Sequence, residues 1–408
     1  MRSKAPEDWN VKPIAELAKV VTGATPRSSN PEHFGEDVPF LTPSDIPGGQ
    51  KQVRAGRLLS DIGARAFEAK LISKGTPCFV AIGSTIGKTC VAPAQTLTNQ
   101  QIHTTIPRPS VADGDFLYYA LTEHASELRL IAGGSATPIL KKSAFEKFKI
   151  AVPALDEQRR IAGVLGSLDD KIESNRRVAK TLEEIAATLF KARFVDFVDH
   201  DDLVDSNLGS VPRGWSAVPV AELAEYVNGK AFTKFGNGRG RMVIRIAELK
   251  SGPGEATVYS DHEATSEFIA SLGDILFAWS GSLDVYRWHR DDALINQHIF
   301  KVIPSGYPAW FVYHALKHVM PHFQAIAKDK ATTMGHIKRS DLADFSVAVP
   351  PRDQLENQDA VFAPIFGRAL RARIEGEVLT RLRDRLLPRL ISGDVRVSSP
   401  DGEPVEVA

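Results

Sequence analysis

Cysteine is scarce: Cys78 and Cys90 are the only two in 408 residues. Two thiols cannot build a disulfide framework, and neither has companions at metal-ligand spacing, so they read as small buried apolar residues of a reduced, cytoplasmic protein. Net charge is absent too, because 50 Lys and Arg balance 50 Asp and Glu. No global basic field marks a nucleic-acid binder or a membrane-surface protein, and any such role must rest on local patches. No apolar run approaches the roughly eighteen residues of a membrane span, and the opening MRSKAPEDWN has no apolar signal core. An intact phosphate loop is also lacking. The stretch AIGSTIGKTC (81–90) ends in Gly-Lys-Thr, but the gap from Gly83 to Gly87 is one residue short of the four that a P-loop needs. Pro93 then follows too soon for the helix whose N-terminus would face a phosphate. The glycines of this stretch need another explanation.

What the chain does contain is a second copy of itself, displaced by about 200 residues. WNVKPIAELAKVVTG from Trp9 parallels WSAVPVAELAEYVNG from Trp215. GTPCFVAIGS from Gly75 parallels GDILFAWSGS from Gly273, each a strand-like apolar run ending in Gly-Ser. TNQQI, with Asn99 and Gln100, parallels INQHI, with Asn296 and Gln297. ATPILKKSAFEKFKIAVP, ending at Pro153, parallels TTMGHIKRSDLADFSVAVP, ending at Pro350. The order is kept throughout, so the matches amount to a tandem duplication. The duplicate AWSGSLDVYR retains Gly281-Ser282 and drops Gly-Lys-Thr, which leaves the strand and its Gly-Ser turn as the shared element. Lys88 and Thr89 are then additions peculiar to the first copy.

After each closing proline the pattern turns helical. From Leu155 to about Val195 the residues Ile161, Leu165, Leu168, Ile172, Ala179, Leu182, Ala186 and Leu189 recur at steps of four and three, a coiled-coil seam. Asn175 lies on that seam, either fixing register or pointing to solvent. The second helix, from about Asp353 to Leu390, carries Phe362, Phe366, Leu370, Ile374, Val378, Leu382, Leu386 and Leu390 at every fourth position. Such a stripe drifts around a helix, and Ile365, Ala369 and Leu379 are expected to complete its contact face. Gly376 interrupts its interior. A long helix with an apolar stripe needs a partner, and the obvious one is its copy.

The predicted fold class is therefore α+β: a duplicated mixed α/β module, each copy followed by a long helix, the two helices pairing as an antiparallel coiled coil. Expected boundaries are 1–153 for the first module, 154–197 for its helix, 198–212 for a polar linker, 213–350 for the second module, 351–392 for its helix and 393–408 for a tail. Short helices are expected at FLYYALTEHASELRLI and WFVYHALKHVMPHF. At about 1.5 Å per residue a helix of some forty residues reaches roughly 60 Å, more than one turn of duplex DNA.

By the Trp-led openings, the Gly-Ser and Asn-Gln motifs and above all KIAVPALDEQRRIAGVLGSLDDKIESN, LEEIAATLFKARFVDF and LRDRLLPRLISGDV, the chain resembles the specificity subunits of type I restriction-modification systems. The similarity covers nearly the whole chain, though PPRDQLENQ departs from the more regular PALDEQRR of the first copy. The resemblance implies two target recognition domains, each reading half of a split site on double-stranded DNA, with the helices as a ruler. It further implies a non-catalytic subunit that docks two methyltransferase subunits and motor-nuclease subunits. S-adenosylmethionine, ATP and Mg would then sit on those partners and not on this chain. Consistent with this, no Asn-Pro-Pro-aromatic or Asp-Pro-Pro-Tyr motif occurs, the nearest approach being Asn30-Pro31-Glu32.

Base reading calls for Arg or Lys toward guanine and Asn or Gln toward adenine, with further cations on phosphates. The Asn99-Gln100-Gln101 and Asn296-Gln297 clusters have the right chemistry, yet their presence in both copies suits a structural turn at least as well. Lys230, Lys234, Arg239 and Arg241 form the densest basic segment, either a phosphate contact or a solvated surface. Thr137, Lys141 and Lys142, with their counterparts Thr333, Lys338 and Arg339, put a hydroxyl and two cations near a glycine in each copy, which fits a shared backbone clamp. Lys88 and Thr89 complete the candidate contacts. His314, His318 and His322 succeed one another by a helical turn, but without an acidic or cysteine ligand nearby they read as ordinary helix residues. Trp279, Trp288 and Trp310 suit core packing better than stacking on unpaired bases. The rival readings are a two-module scaffold that binds proteins and a self-contained nucleotide-dependent enzyme. ATP hydrolysis or adenine methylation by the purified chain alone would favour the latter.

Overall fold

The computed structural model describes residues 6–133, 137–329 and 336–397. The chain folds as two compact units that do not follow its serial order: one takes the residues up to 172 and those from 379 onward, the other residues 173–378. Each unit therefore owns a module together with a part of both long helices.

In the first unit runs rich in Val, Ile and Thr, residues that favour strands, build an antiparallel sheet of Ala18–Thr22, Ile102–Pro107, Pro77–Val80 and Thr89–Val91, in that order. A second sheet runs Phe34–Gly35, Arg57–Leu59, Val38–Leu41, Leu97–Thr98, with its last pair parallel. Asn10–Pro13 and Lys149–Val152 form a separate ribbon that joins the start of the module to its end. The helix Gly114–Glu123, capped by the Asp113 carboxylate, buries every residue from Phe116 to Leu121. The core holds Ile14, Leu17, Phe79, Phe116 and Phe145, and it is closed by Ile161 and Leu165 of the first long helix and Leu387, Leu390 and Ile391 of the second.

The second unit repeats the plan. Ala224–Asn228, Ile299–Pro304, Ile275–Ala278 and Asp284–Arg287 make its antiparallel sheet. Ser216–Pro219 pairs with Ser346–Val349 as the ribbon. The second sheet departs from its counterpart: the parallel pair Arg241–Ile244 and Ala293–Ile295 is central, between Tyr259–Ser260 and Ile269–Ala270. The helix Ala309–Asp329 continues through Pro321. Phe277, Phe311 and Phe323 meet Phe190 and Phe194 of the first long helix and Phe362 of the second in one core. Where a polar linker was expected, Leu203–Ser206 and Gly209–Pro212 form a hairpin, because Gly209 supplies the left-handed turn (φ 84°) and Val211 is buried.

The long helices span Leu155–Phe194 and Arg352–Ser392 and pair as an antiparallel coiled coil. The first has Asp156 and Glu157 in its opening turn and Lys191 and Arg193 in its last, matching the helix dipole; the second stops at Gly393, whose φ of 81° is the usual left-handed terminator. In the first unit Ile161 and Leu165 are fully buried, Ile172 is buried, and Leu168 and Leu386 are half-buried. Leu382, expected on the seam, is 43% exposed, and its neighbour Arg383 is the buried residue. Steps of four advance the face by about 40° each, so the stripe through Val378 and Leu382 has rotated away from the seam. In its place Arg383 Nη1 donates to Asp169 Oδ1 at 2.8 Å, and the Tyr119 hydroxyl donates to Asp169 Oδ2 at 2.7 Å. In the second unit Phe362 is fully buried, and Leu182, Leu189, Phe366 and Ile374 are half-buried. Asn175 is 2% exposed, so it does not face solvent, and a Cβ at Gly376 would lie 3.9 Å from its own Cβ. Gly376 is thus accommodated in the helix facing the side chain of the partner helix.

Replacing Asp169 by Ala is expected to cost the first unit about 1–3 kcal/mol, because Arg383 and the Tyr119 hydroxyl lose their buried partner while the exposed Asp384, 2.7 Å from Arg383, remains. The double change Asp169→Ala, Arg383→Met should recover most of that loss in urea unfolding. In the second unit burial holds His314 near pKa 4, aided by Arg287, and likewise His289, aided by Arg290, against an ordinary 6.5. Both rings must stay neutral for the unit to fold, so their contribution is complete above about 6.5 and is lost as pH falls toward 4. Urea midpoints for the second unit should fall across that window, and His314→Phe should flatten the dependence.

Candidate nucleic-acid interface

The duplicated motifs, scattered along the sequence, converge at one junction in each module. In the first, the Ala24 amide donates to Thr98 O at 2.9 Å and the Asn99 amide to Leu41 O at 2.9 Å. The Ala81 amide donates to Gln101 O at 2.8 Å, and Leu140 donates back to Ala81 O at 2.9 Å. In the second, the Lys230 amide donates to Ile295 O at 3.1 Å and the Asn296 amide to Ile244 O at 3.2 Å. The Trp279 amide donates to His298 O at 3.1 Å, and Ile337 donates to Trp279 O at 2.9 Å. The four backbone bonds correspond one to one. The glycine that ends each opening motif permits this approach: a Cβ on Gly23 would lie 1.8 Å from Thr98 O, and one on Gly229 2.3 Å from Asn296 O. Gly83 and Gly281 turn the chain at φ 65° and 67°, the conformation their Gly-Ser turn requires.

This scaffold fixes the fate of the predicted side chains. Asn99 and Asn296 are buried, 8% and 7% exposed. Asn99 Oδ1 accepts from the Gln101 amide at 2.9 Å, a local turn bond, while Asn296 Oδ1 has no partner among the described residues. Gln100 and Gln297 are exposed, and Gln100 accepts from the Thr25 hydroxyl. Thr137, Lys141 and Lys142 are exposed next to the Gly83 turn, whose amide donates to Pro138 O at 2.8 Å. Lys142 also lies 3.5 Å from Glu146. Lys338 and Arg339 are exposed directly after Ile337; Thr333 falls outside the described residues. Lys230 joins the junction through its backbone and sets its ammonium 3.8 Å from the centre of the Phe268 ring. Lys234, Arg239 and Arg241 are exposed on the neighbouring loop and strand, where the Asn237 and Gly238 amides bond Tyr259 O. The basic segment is thus divided, only Lys230 belonging to the junction by direct bonds.

AIGSTIGKTC closes a hairpin and does not open a helix. Lys88 O accepts from the Val80 amide at 2.9 Å, and Thr89 begins the strand Thr89–Val91. Thr89 was expected at the surface; it is 4% exposed and shares a 2.7 Å hydrogen bond with the Thr122 hydroxyl. As an interior hydroxyl it cannot reach DNA. Arg129 holds the turn from behind, donating to Ile86 O at 2.9 Å. Cys78 and Cys90 are buried cross-strand neighbours, and Trp288 and Trp310 are core residues at 1% and 2% exposure. Trp279 is half-buried and donates to Asn228 Oδ1 at 2.9 Å, so it packs against the junction itself.

Residues not singled out from the sequence also belong to this place. Thr42 and Arg245 follow the strands that carry Leu41 and Ile244, and each begins a tight turn closed by an acid three residues on: the Thr42 amide donates to Asp45 Oδ2 at 2.7 Å, the Arg245 amide to Glu248 Oε2 at 3.0 Å. The Thr-x-x-Asp spacing of a capping box was the signal for the first. His298, also not singled out, occupies the place equivalent to that of Gln101, which the sequence had grouped with Asn99 and Gln100, and it takes the left-handed conformation (φ 81°) that a non-glycine residue adopts at a cost.

Among the described residues, no helix is long and apolar enough to cross a membrane and no cluster of His, Cys, Asp or Glu has the arrangement of a metal site. The model of the type I restriction modification DNA specificity domain matches the chain twice, over residues 6–184 and 212–377. The chain is 28% identical to the MjaIX type I restriction enzyme specificity subunit of Methanocaldococcus jannaschii, over 97% of this chain and 95% of that protein. It is 31% identical to the HindI specificity subunit of Haemophilus influenzae, over 44% of this chain and 39% of that one. The S subunit of a type I restriction-modification system from M. genitalium shares its fold, with a TM-score of 0.59 at 16% identity, covering 95% of this chain and 98% of that one. The chain belongs to the family of type I restriction-modification specificity subunits.

Proposed function

We propose that this family member is the sequence-reading component of a type I restriction-modification complex, each module binding one half of a split site on double-stranded DNA. The observation that carries the reading is the duplicated junction: four equivalent backbone bonds present different side chains in the two modules. Gln101 faces the role of His298, Thr42 that of Arg245 and Ala24 that of Lys230. A common scaffold with divergent polar residues suits two readers of different half-sites. Exposed Lys141, Lys142, Lys338 and Arg339, common to both copies, suit phosphate contacts that position the duplex without selecting its sequence. Lys88, Gln100, Gln297 and Arg241 stand as further contacts at the rim.

In this reading the residues 1–153 and 213–350 are recognition domains, and the paired helices set the distance between half-sites and dock two methyltransferase subunits. The chain supplies no catalytic group. S-adenosylmethionine belongs to the methyltransferase subunits, and ATP with Mg to motor-nuclease subunits, all in the cytoplasm. The zero net charge supports weak DNA binding by the lone chain, with tight binding once the partners close around the duplex.

The deciding experiment measures binding of a split duplex site by the chain in complex with its methyltransferase across a range of salt. Changing Lys338 to Gln should weaken all sequences alike and reduce the salt slope by about 1, whereas changing His298 or Gln101 to Ala should relax discrimination at one half-site. Binding that ignores salt, or methylation by the chain alone, would refute the reading. Lengthening both helices by one seam repeat should widen the preferred gap and leave the half-site bases unchanged, as read from the positions of modified adenines.

A further inference from the structure

A cavity of about 200 Å³ lies in the second unit, between the strand Asp284–Arg287, the helix Ala309–Asp329 and the two long helices. That is well above the ~30 Å³ one water takes in the liquid. Its wall is unusually cationic: Lys250, Arg287, Arg290, Lys317 and Arg373 all line it. Three of these have carboxylates. Arg373 Nη2 lies 2.7 Å from Glu183, Lys317 2.6 Å from Asp284, and Arg290 3.1 Å from Glu377. Arg287 has none. Its guanidinium stacks 3.3 Å from the centre of the Phe366 ring and donates to Phe366 O, while its buried Nε has no partner among the described residues. Lys250 is likewise without a carboxylate and donates to the Ser282 hydroxyl at 2.8 Å, which links the rim of the cavity to the Gly281-Ser282 turn of the junction.

A half-buried guanidinium without an ion pair of its own carries a desolvation cost, and the usual remedies are an ion pair or a bound anion. The first unit shows the remedied case, where buried Arg383 meets Asp169. We propose that the cavity of the second unit is an oxyanion site, in which Arg287 and Lys250 bind one phosphate group, either free inorganic phosphate or a phosphate of the DNA backbone. Arginine suits the task because its planar fork matches phosphate oxygens, and the ring of Phe366 holds that plane in place. The neutral imidazole of His289 on the same wall leaves the charge to the two cations. The site does not depend on the DNA-reading role, since the free ion tests it without DNA.

The test titrates the full-length chain with sodium phosphate against sodium chloride at matched ionic strength, by calorimetry and thermal unfolding. The wild type should bind phosphate saturably with a raised Tm. Arg287→Gln should weaken that binding at least about tenfold, and Lys250→Gln, at the rim and clear of the Phe366 packing, by about three- to tenfold. If the natural occupant is a backbone phosphate, both variants should also lower the salt slope of DNA binding by the complex, by about 1, and free phosphate should compete; if it is the free ion, the slope should stay unchanged. The proposal is overturned if phosphate acts equally on the wild type and both variants, or if the wild type shows neither a saturable phosphate effect nor a DNA salt slope that differs from that of the variants.

Discussion

Neither module closes its own hydrophobic core. Phe79, Phe116 and Phe145 of the first are sealed by Ile161 and Leu165 from one long helix and by Leu387, Leu390 and Ile391 from the other. Phe277, Phe311 and Phe323 of the second are sealed by Phe190 and Phe194 together with Phe362. Burial of apolar surface is the dominant favourable term in folding, so this shared closure ties the modules to the helix pair more firmly than any surface contact would. The polar seams follow from it: once the helices are placed by their cores, Asp169 meets Arg383 and Glu183 meets Arg373.

The junction in each module depends in turn on a rigid core behind it. Glycine at 23 and 229 lets two backbones approach more closely than any side chain would allow, and the Gly-Ser turn then reaches both the Asn-Gln turn and the segment before the shared cations. The four bonds that join these segments run between main-chain atoms, so they are the same in both modules although the side chains around them differ. Gln101 in one module and His298 in the other therefore differ while the four bonds stay the same.

Much of this was legible in the sequence because it is written in periodicity and repetition. The seam of Ile161, Leu165 and Ile172 marked the first helix within a residue of its end, and the four repeated motifs named the strands and turns of the junction. What stayed hidden depends on partners remote in the chain. Arg383 reads as a surface charge until Asp169, two hundred residues earlier, is seen beside it, and the drifting stripe pointed to Leu382 instead. Thr89 looked like an exposed polar residue because its partner, Thr122, sits on a helix that sequence alone does not bring near. The hairpin at 203–212 went unnoticed because Asp205, Ser206 and Asn207 interrupt its apolar residues, of which only Val211 and Pro212 are buried. Arg287 is a half-buried charge that no local pattern announces.

The first unit also gathers residues from opposite ends of the polypeptide. Arg396 bonds Asp8 and Glu157, and a side chain on Gly393 would strike Pro6. An order of module, helix, module, helix whose last helix returns to the first module is topologically a ring cut open at one point. Each repeat of such a ring has the same neighbours, so the last helix helps to close the first module as the first helix helps to close the second.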